Sequence, residues 1–178
     1  MEALDALVLI CVVVATSAAI VAVVYVLLKQ YFEQRNLEHE REWKEKKRKD
    51  YLPLQLQAFE RLILYLERIN PERLVFRVNK PGMSARQLQA EVLKIIRDEF
   101  DHNLAQQVYI SFEAWESVKA AREETIRILN TAAERVSKDA DSLTFSQAIL
   151  EVAGKLDTLP TDVAIHILKR EFRSRIGT

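Results

Sequence analysis

The chain has 178 residues, and its 26 basic and 26 acidic side chains give a formal net charge of zero. This balance argues against a generally basic nucleic-acid-binding protein. Three glycines, four prolines and one cysteine exclude collagen-like, low-complexity and disulfide-rich classes, and leave few residues for a glycine-rich phosphate loop. The hydrophobic fraction of 49% is typical of a globular protein, but it is unevenly distributed along the chain.

An uncharged apolar run occupies residues 6–28, and no Gly or Pro interrupts it. A helix of this length spans roughly 34 Å at about 1.5 Å per residue, which exceeds the ~30 Å hydrocarbon core of a bilayer. The preceding residues include Glu2 and Asp5, whereas a cleaved signal peptide begins with a basic region. The run therefore predicts an uncleaved, single transmembrane helix.

Basic residues flank this run on one side only. No Lys or Arg precedes it, whereas eight lie between Lys29 and Lys49. The positive-inside rule then predicts a short extracytoplasmic N-terminus, residues 1–5, and a cytoplasmic C-terminal part. The single cysteine, Cys11, lies within the run, which excludes an intrachain disulfide and leaves lipidation or helix–helix contact as open roles.

Residues 29–52 favour a charged helical stalk that continues the membrane helix, because Glu, Lys, Gln and Arg are good helix formers. We expect the helix to end before Pro53, since proline disfavours the α conformation of the residue before it. The stalk could be a solvated helix, a short parallel coiled coil without clear heptads, or a contact for anionic lipid. The candidate lipid contacts are Tyr31, Phe32, Lys44, Lys46, Lys47, Arg48 and Lys49.

Apolar residues in 53–178 recur at helical spacing and predict a small cytoplasmic bundle of about five helices, so the predicted fold class is all-α. Ser84 with Gln87, and Thr144 with Gln147, fit capping boxes, and Ser111 fits a further N-cap. Segments 74–78 and 108–112 could instead pair as short strands. The residues predicted to face the core include Leu52, Leu56, Phe59, Val163, Ile167 and Phe172.

Two groups of residues suggest contact with a partner. On the predicted helix 54–69, two leucines lie with two arginines opposite the main apolar stripe, so either another helix of the domain or a partner covers them. The polar stretch 102–109 follows a helix break and is either a cap-and-turn network or a recognition patch. With Trp43 of the stalk, the candidate partner contacts are Leu54, Arg61, Leu64, Arg68, His102, Asn103, Gln106, Gln107 and Tyr109.

The sequence offers little to catalysis. Glu99 and His102 have the Glu-x-x-His spacing of di-iron bundles, but a second such motif is absent around His166. The predicted cytoplasmic part has no cysteine, and its glycines are isolated. No catalytic residue, cofactor or metal ligand is therefore predicted, and a metal-dependent helical enzyme is only a remote alternative.

Three stretches stand out as long motifs: residues 57–62 (QAFERL), 66–71 (LERINP) and 99–109 (EFDHNLAQQVY). Together with the loop 81–83 and the pair Ala114-Trp115, they resemble an uncharacterised family of single-pass, membrane-anchored bacterial proteins, a domain of unknown function found chiefly in Bacteroidota. The resemblance covers nearly the whole chain. It implies a location in the bacterial inner membrane and brings no assigned activity.

Together these features predict a membrane-anchored helical adaptor or structural subunit, which docks onto a protein assembly or self-associates. The alternative is a module in which the basic stalk binds anionic lipid. The predicted partners are the membrane and a protein or second copy, with no nucleic acid.

Overall fold

A computed structural model describes the backbone of residues 2–137 and 139–176. The side chains at 2–16, 18, 19, 22, 32–34, 36–42, 44, 45, 47, 48 and 176 lie outside the described residues. The described part contains six α-helices and one short 3-10 helix, and it has no strand beyond a single bridge pair. The fold is therefore all-α, as the sequence predicts.

The helices follow one another through short connections. They are α1 (Glu2–Ile69), α2 (Pro71–Val78), α3 (Ala85–Asn103), the 3-10 helix Leu104–Val108, α4 (Phe112–Glu134), α5 (Ser142–Ala153) and α6 (Pro160–Ile176). The chain divides into two compact units, Met1–Tyr51 and Leu52–Thr178. We refer to the second unit as the helical domain, and the buried core lies there.

One prediction about a helix end is wrong, and the structure decides one alternative that the sequence left open. Helix α1 continues through Pro53 instead of ending before it. Proline removes one backbone donor from the helix, but the residues around it are good helix formers, so the helix continues on both sides. Residues 71–78 form α2, and the second candidate strand is occupied by the 3-10 helix and the start of α4, so these segments do not pair.

The core is formed by one face of each helix of the domain. Helix α4 packs against α5 and α6, and α3 packs against α2, α4 and α5. The last part of α1 joins them through Phe59, whose ring lies 5.4 Å from that of Phe172 on α6. The largest fully buried side chains include Leu62, Tyr65, Leu66, Ile69, Leu74, Leu88, Ile96, Leu129, Phe145, Ile149 and Leu168.

Three of the predicted core residues, Leu52, Leu56 and Val163, are instead exposed. The two leucines precede Ala58, where the buried stripe of α1 begins, so their helical spacing alone did not ensure burial. Val163 lies in the first turn of α6, where its neighbours Ala164 and Ile165 are buried in its place.

Helices α3 and α5 begin side by side. Ser84 caps α3 in the predicted capping box with Gln87. Asp141 caps α5 by accepting the backbone N–H of Thr144 at 2.8 Å. The predicted capping box starting at Thr144 is therefore wrong, because the carboxylate three residues earlier already satisfies that N–H group. Backbone hydrogen bonds from Ala85 to Ala140 and from Ser142 to Met83 join the two caps.

Candidate interaction surface

A groove of about 420 Å³ lies between α1 and α3 and gathers several of the predicted partner contacts. Its lining includes Arg61 of α1 and, from α3, Ile95, Asp98, Glu99, His102 and Asn103. About two turns further along α1, Arg68 Nη2 lies 2.7 Å from Glu99 Oε1. The structure thus brings together two arginines and a helix end that are 31 to 42 positions apart in the sequence.

The end of α3 is held by its own side chains. His102 Nδ1 lies 2.6 Å from the carbonyl oxygen of Asp98, and Asn103 Nδ2 donates to the carbonyl oxygen of Glu99 at 2.8 Å. Both side chains bind the carbonyl four residues earlier on their own helix, and each carbonyl oxygen can accept this bond in addition to its helical one. These two side chains therefore have local partners at the end of α3. The His102 ring is exposed and Asn103 is buried.

The leucines predicted beside the arginines remain at the surface. Leu64 is 53% exposed and Leu54 is 44% exposed. The Glu99 carboxylate of α3 therefore pairs with Arg68, whereas Leu54 and Leu64 stay exposed. We refer to Leu54, Arg61, Leu64, Arg68 and the groove next to them as the α1–α3 face. It combines exposed apolar groups with charged groups of both signs.

Tyr109 lies at a junction of three elements. Its carbonyl oxygen accepts Gln55 Nε2 of α1 at 3.3 Å and Arg175 Nη1 of α6 at 3.4 Å. Its own N–H donates to the carbonyl oxygen of Gln106 at 3.0 Å. Gln106 is half-buried and Gln107 is exposed. The backbone groups of Gln106 and Tyr109 therefore help to hold this connection between α3 and α4 against α1 and α6.

Sequence reasoning missed two apolar residues at this corner. Val108 is 69% exposed and Phe112 is 80% exposed. Phe112 directly follows Ser111, the N-cap of α4. The helix turns its Ala114 and Trp115 side toward the core, and this spacing was the signal that could have placed Phe112 outside.

A cluster of three aromatic rings and one arginine lies inside the helical domain. The Phe100 ring stacks on Trp115 with centroids 5.4 Å apart, and Arg122 Cζ lies 4.4 Å from the Phe100 centroid. The Tyr65 ring is tilted against that of Phe100, with centroids 6.0 Å apart. Burial raises the pKa of the Tyr65 hydroxyl well above the ordinary tyrosine value, and the charge of Arg122 partly offsets this effect.

The Glu-x-x-His pair is occupied by other interactions. Glu99 forms the ion pair with Arg68, and His102 binds the Asp98 carbonyl. Within the part of the chain that the structure describes, no group of three or more His, Cys, Asp or Glu residues is placed to hold a metal ion.

Comparison with known proteins identifies the family. The family model described as "Family of unknown function (DUF7935)" matches residues 5–175. The chain belongs to DUF7935. No curated protein and no solved structure matches it. The predicted resemblance to an uncharacterised family is confirmed to this extent, while the single-pass anchor and the restriction to Bacteroidota stay predictions.

The first unit of this DUF7935 chain contains the predicted lipid contacts. Tyr31 is exposed, with Arg35 Cζ 5.9 Å from its ring centroid, and Lys46, Lys49 and Trp43 are exposed as well. The side chains of Phe32, Lys44, Lys47 and Arg48 lie outside the described residues.

The predicted transmembrane segment, residues 6–28, is helical in its backbone. Its side chains at 6–16, 18, 19 and 22 lie outside the described residues, so most of that prediction falls there. A search of the described residues finds no helix that is long and apolar enough to cross a bilayer.

Proposed function

We propose that this chain is a membrane-anchored helical adaptor or structural subunit. The α1–α3 face docks onto a protein assembly or onto a second copy of the chain. The observation that carries the proposal is the exposure of Leu64 between Arg61 and Arg68, next to the groove formed by α3. Apolar groups rimmed by polar ones mark interaction sites, and arginine is enriched among the residues that dominate interface energies.

The proposed anchor is the apolar run 6–28, which would span a bacterial inner membrane. The N-terminus would then lie outside, and the helical domain would lie in the cytoplasm. This anchor is supported by the length of the uncharged run and by the eight basic residues that follow it. Confinement to a membrane raises the effective concentration of a docking domain, so modest contacts suffice for assembly. Release of the full chain by carbonate extraction, or external accessibility of a tag at Thr178, would contradict this part of the proposal.

Site-directed cross-linking tests the docking face. Because Cys11 is the only cysteine, a Cys11→Ala background allows one thiol to be placed at Leu64→Cys in the full chain in native membranes. We expect a cross-linker with one thiol-reactive and one photoreactive end to give one consistent higher-mass product, which Arg61→Glu in the same chain should abolish. Arg127→Cys, at an exposed position on α4, is the matched control and should give no such product. Only monomer at both positions would count against docking through this face.

Lipid binding by the stalk is the second candidate, and the exposure of Tyr31, Lys46 and Lys49 favours it. Neutralising both lysines in Lys46→Gln/Lys49→Gln should then reduce the phosphatidylglycerol that co-purifies with the full chain, since each basic residue near a membrane surface contributes about 1 kcal/mol. Unchanged co-purification would eliminate this candidate. The cross-linking at Leu64 is independent of this result.

A further inference from the structure

The outer face of α6 forms a basic groove that the α1–α3 face does not include. It has a volume of about 710 Å³, which is on the scale of ligand pockets. Its rim begins at Thr158, in the connection before α6. The groove is lined by Val163, His166, Ile167, Lys169, Arg170 and Arg173, and we refer to these residues as the α6 groove.

The charge of the α6 groove has one sign. Its described lining contains two arginines, a lysine and a histidine, and no carboxylate. Two acidic residues near it have partners in this chain: Glu113 of α4 lies 3.2 Å from Arg170, and Glu171 accepts hydrogen bonds from Ser111. Asp162, in the first turn of α6, is half-buried. Lys169 and Arg173 are exposed cations. Among the described residues, the structure shows no ion pair between either of them and a carboxylate of this chain.

An apolar strip runs beside these cations. Val163 is 47% exposed, and Ile167, which is half-buried against the core, follows it by four residues on the same side of the helix. Arg170 continues the row three residues later, so two apolar side chains are followed by a cationic one along this side of α6. A row with this spacing is the pattern by which one helix packs against another.

We propose that the α6 groove binds an acidic amphipathic helix of a partner protein. The apolar side chains of that helix would pack on Val163 and Ile167, and its carboxylates would pair with Lys169 and Arg173. The ion pair between Glu113 and Arg170 already shows a carboxylate of this chain bound at the edge of the groove. This is a second docking surface, which goes beyond the proposed function and does not depend on the α1–α3 face.

The shape and composition of the groove favour a protein helix over a membrane or a nucleic acid. Helices that lie in a membrane surface insert large apolar or aromatic side chains. The one aromatic residue of α6, Phe172, instead packs inward on Phe59. The helical domain also carries basic and acidic residues in equal numbers, so it lacks the strong positive field of a nucleic-acid-binding domain.

The test uses the full chain in phosphatidylcholine nanodiscs and two labelled synthetic helices. Both helices have leucine at positions i, i+3, i+4 and i+7, and they carry either glutamate or lysine on the flanks. Fluorescence anisotropy should show that the Leu/Glu helix binds and that added salt weakens it, because exposed charges are screened. Lys169→Glu/Arg173→Glu should raise its Kd by roughly tenfold or more. The milder Lys169→Gln/Arg173→Gln should raise it less.

The matched control is Lys94→Glu/Arg97→Glu, which makes the same charge change at exposed positions on α3. It should leave the Kd of the Leu/Glu helix within about twofold, whereas equal weakening by both double variants would show only non-specific attraction and overturn the proposal. Equal binding of the Leu/Glu and Leu/Lys helices would also overturn it. So would binding of phosphatidylglycerol vesicles through Lys169 and Arg173 without binding of the Leu/Glu helix, since this would assign the groove to a membrane.

Discussion

Glu171 of α6 accepts two hydrogen bonds from Ser111, one from its backbone N–H at 2.9 Å and one from its hydroxyl at 2.5 Å. The Ser111 side chain also caps α4, because its oxygen accepts the N–H of Ala114 at 3.1 Å. Arg175 Nη2 lies 2.5 Å from the same Glu171 carboxylate, and Arg175 Nη1 donates to the Tyr109 carbonyl oxygen. One carboxylate therefore ties the last turns of α6 to the start of α4.

We predict that Glu171→Gln lowers the free energy of unfolding by about 1–3 kcal/mol. The Glu171 side chain is only 13% exposed, so its loss weakens charge-assisted hydrogen bonds that water does not fully replace. Glu113→Gln is the control, because its ion pair with Arg170 is solvent-exposed and should contribute about 0–1 kcal/mol. Urea unfolding of the full chain, followed by Trp115 emission in a Trp43→Phe background, measures both. Equal losses of unfolding free energy in the two variants would show that the hydrogen bonds between Ser111 and Glu171 contribute no more than an exposed ion pair.

The aromatic cluster makes a second prediction. Phe100→Ala should lower the free energy of unfolding by about 3–5 kcal/mol, because Phe100 is buried between Trp115, Tyr65 and the Arg122 guanidinium. Phe112→Ala removes the same side chain at an exposed position of α4 and should change stability by about 0.5 kcal/mol or less. The urea midpoint of each variant checks this, and a large loss in Phe112→Ala would mean that this ring packs against the chain.

Tyr65→Phe should be neutral or stabilising at pH 7, by up to about 1 kcal/mol. The Tyr65 hydroxyl is buried, and no hydrogen-bond partner for it is found among the described residues, so its desolvation is not compensated. Urea unfolding measures the effect. A loss of more than about 1 kcal/mol would reveal a bound partner for the hydroxyl.

The same residue predicts a pH dependence. The pKa of Tyr65 is raised in the folded state, so the unfolded chain loses its proton first. The contribution of this pKa difference to the free energy of unfolding is fully present below the unfolded tyrosine pKa of about 10, and it is lost as the pH rises above that value. The wild-type chain should therefore lose stability relative to Tyr65→Phe above that pH, and parallel pH profiles of the two would contradict the raised pKa.

Asp141 predicts a dependence of the opposite sign. Hydrogen bonds from the Thr144 side chain and backbone lower the pKa of its carboxyl in the folded state. The stability from this cap is therefore present above the ordinary aspartate pKa of about 3.9 and is lost as the pH falls through the lower folded value. Asp141→Asn keeps a capping oxygen but not the charge, so its urea midpoint should approach that of the wild type in acid. A constant difference from neutral to acid pH would show that the charge has no role.

Several features follow from the sequence alone because they depend on neighbours along the chain. The Ser84 and Ser111 caps, the break at His102 and Asn103, and the start of α6 at Pro160 are local events. Hydroxyl caps and the restricted φ of proline act within three or four residues, so a pattern in the sequence is sufficient to predict them. The apolar spacing likewise predicted an all-α domain.

Only the tertiary structure decided which faces meet. The spacing of Leu52, Leu56 and Val163 is that of core residues, but all three are exposed in the structure. Arg68 is paired because α3 places Glu99 beside it, and nothing within four residues of Arg68 predicts that neighbour. Helical periodicity fixes the direction of a side chain around its own axis, whereas burial depends on where distant helices end. The sequence left open whether another helix covers Leu64, and only the packed helices leave it exposed and form the α6 groove.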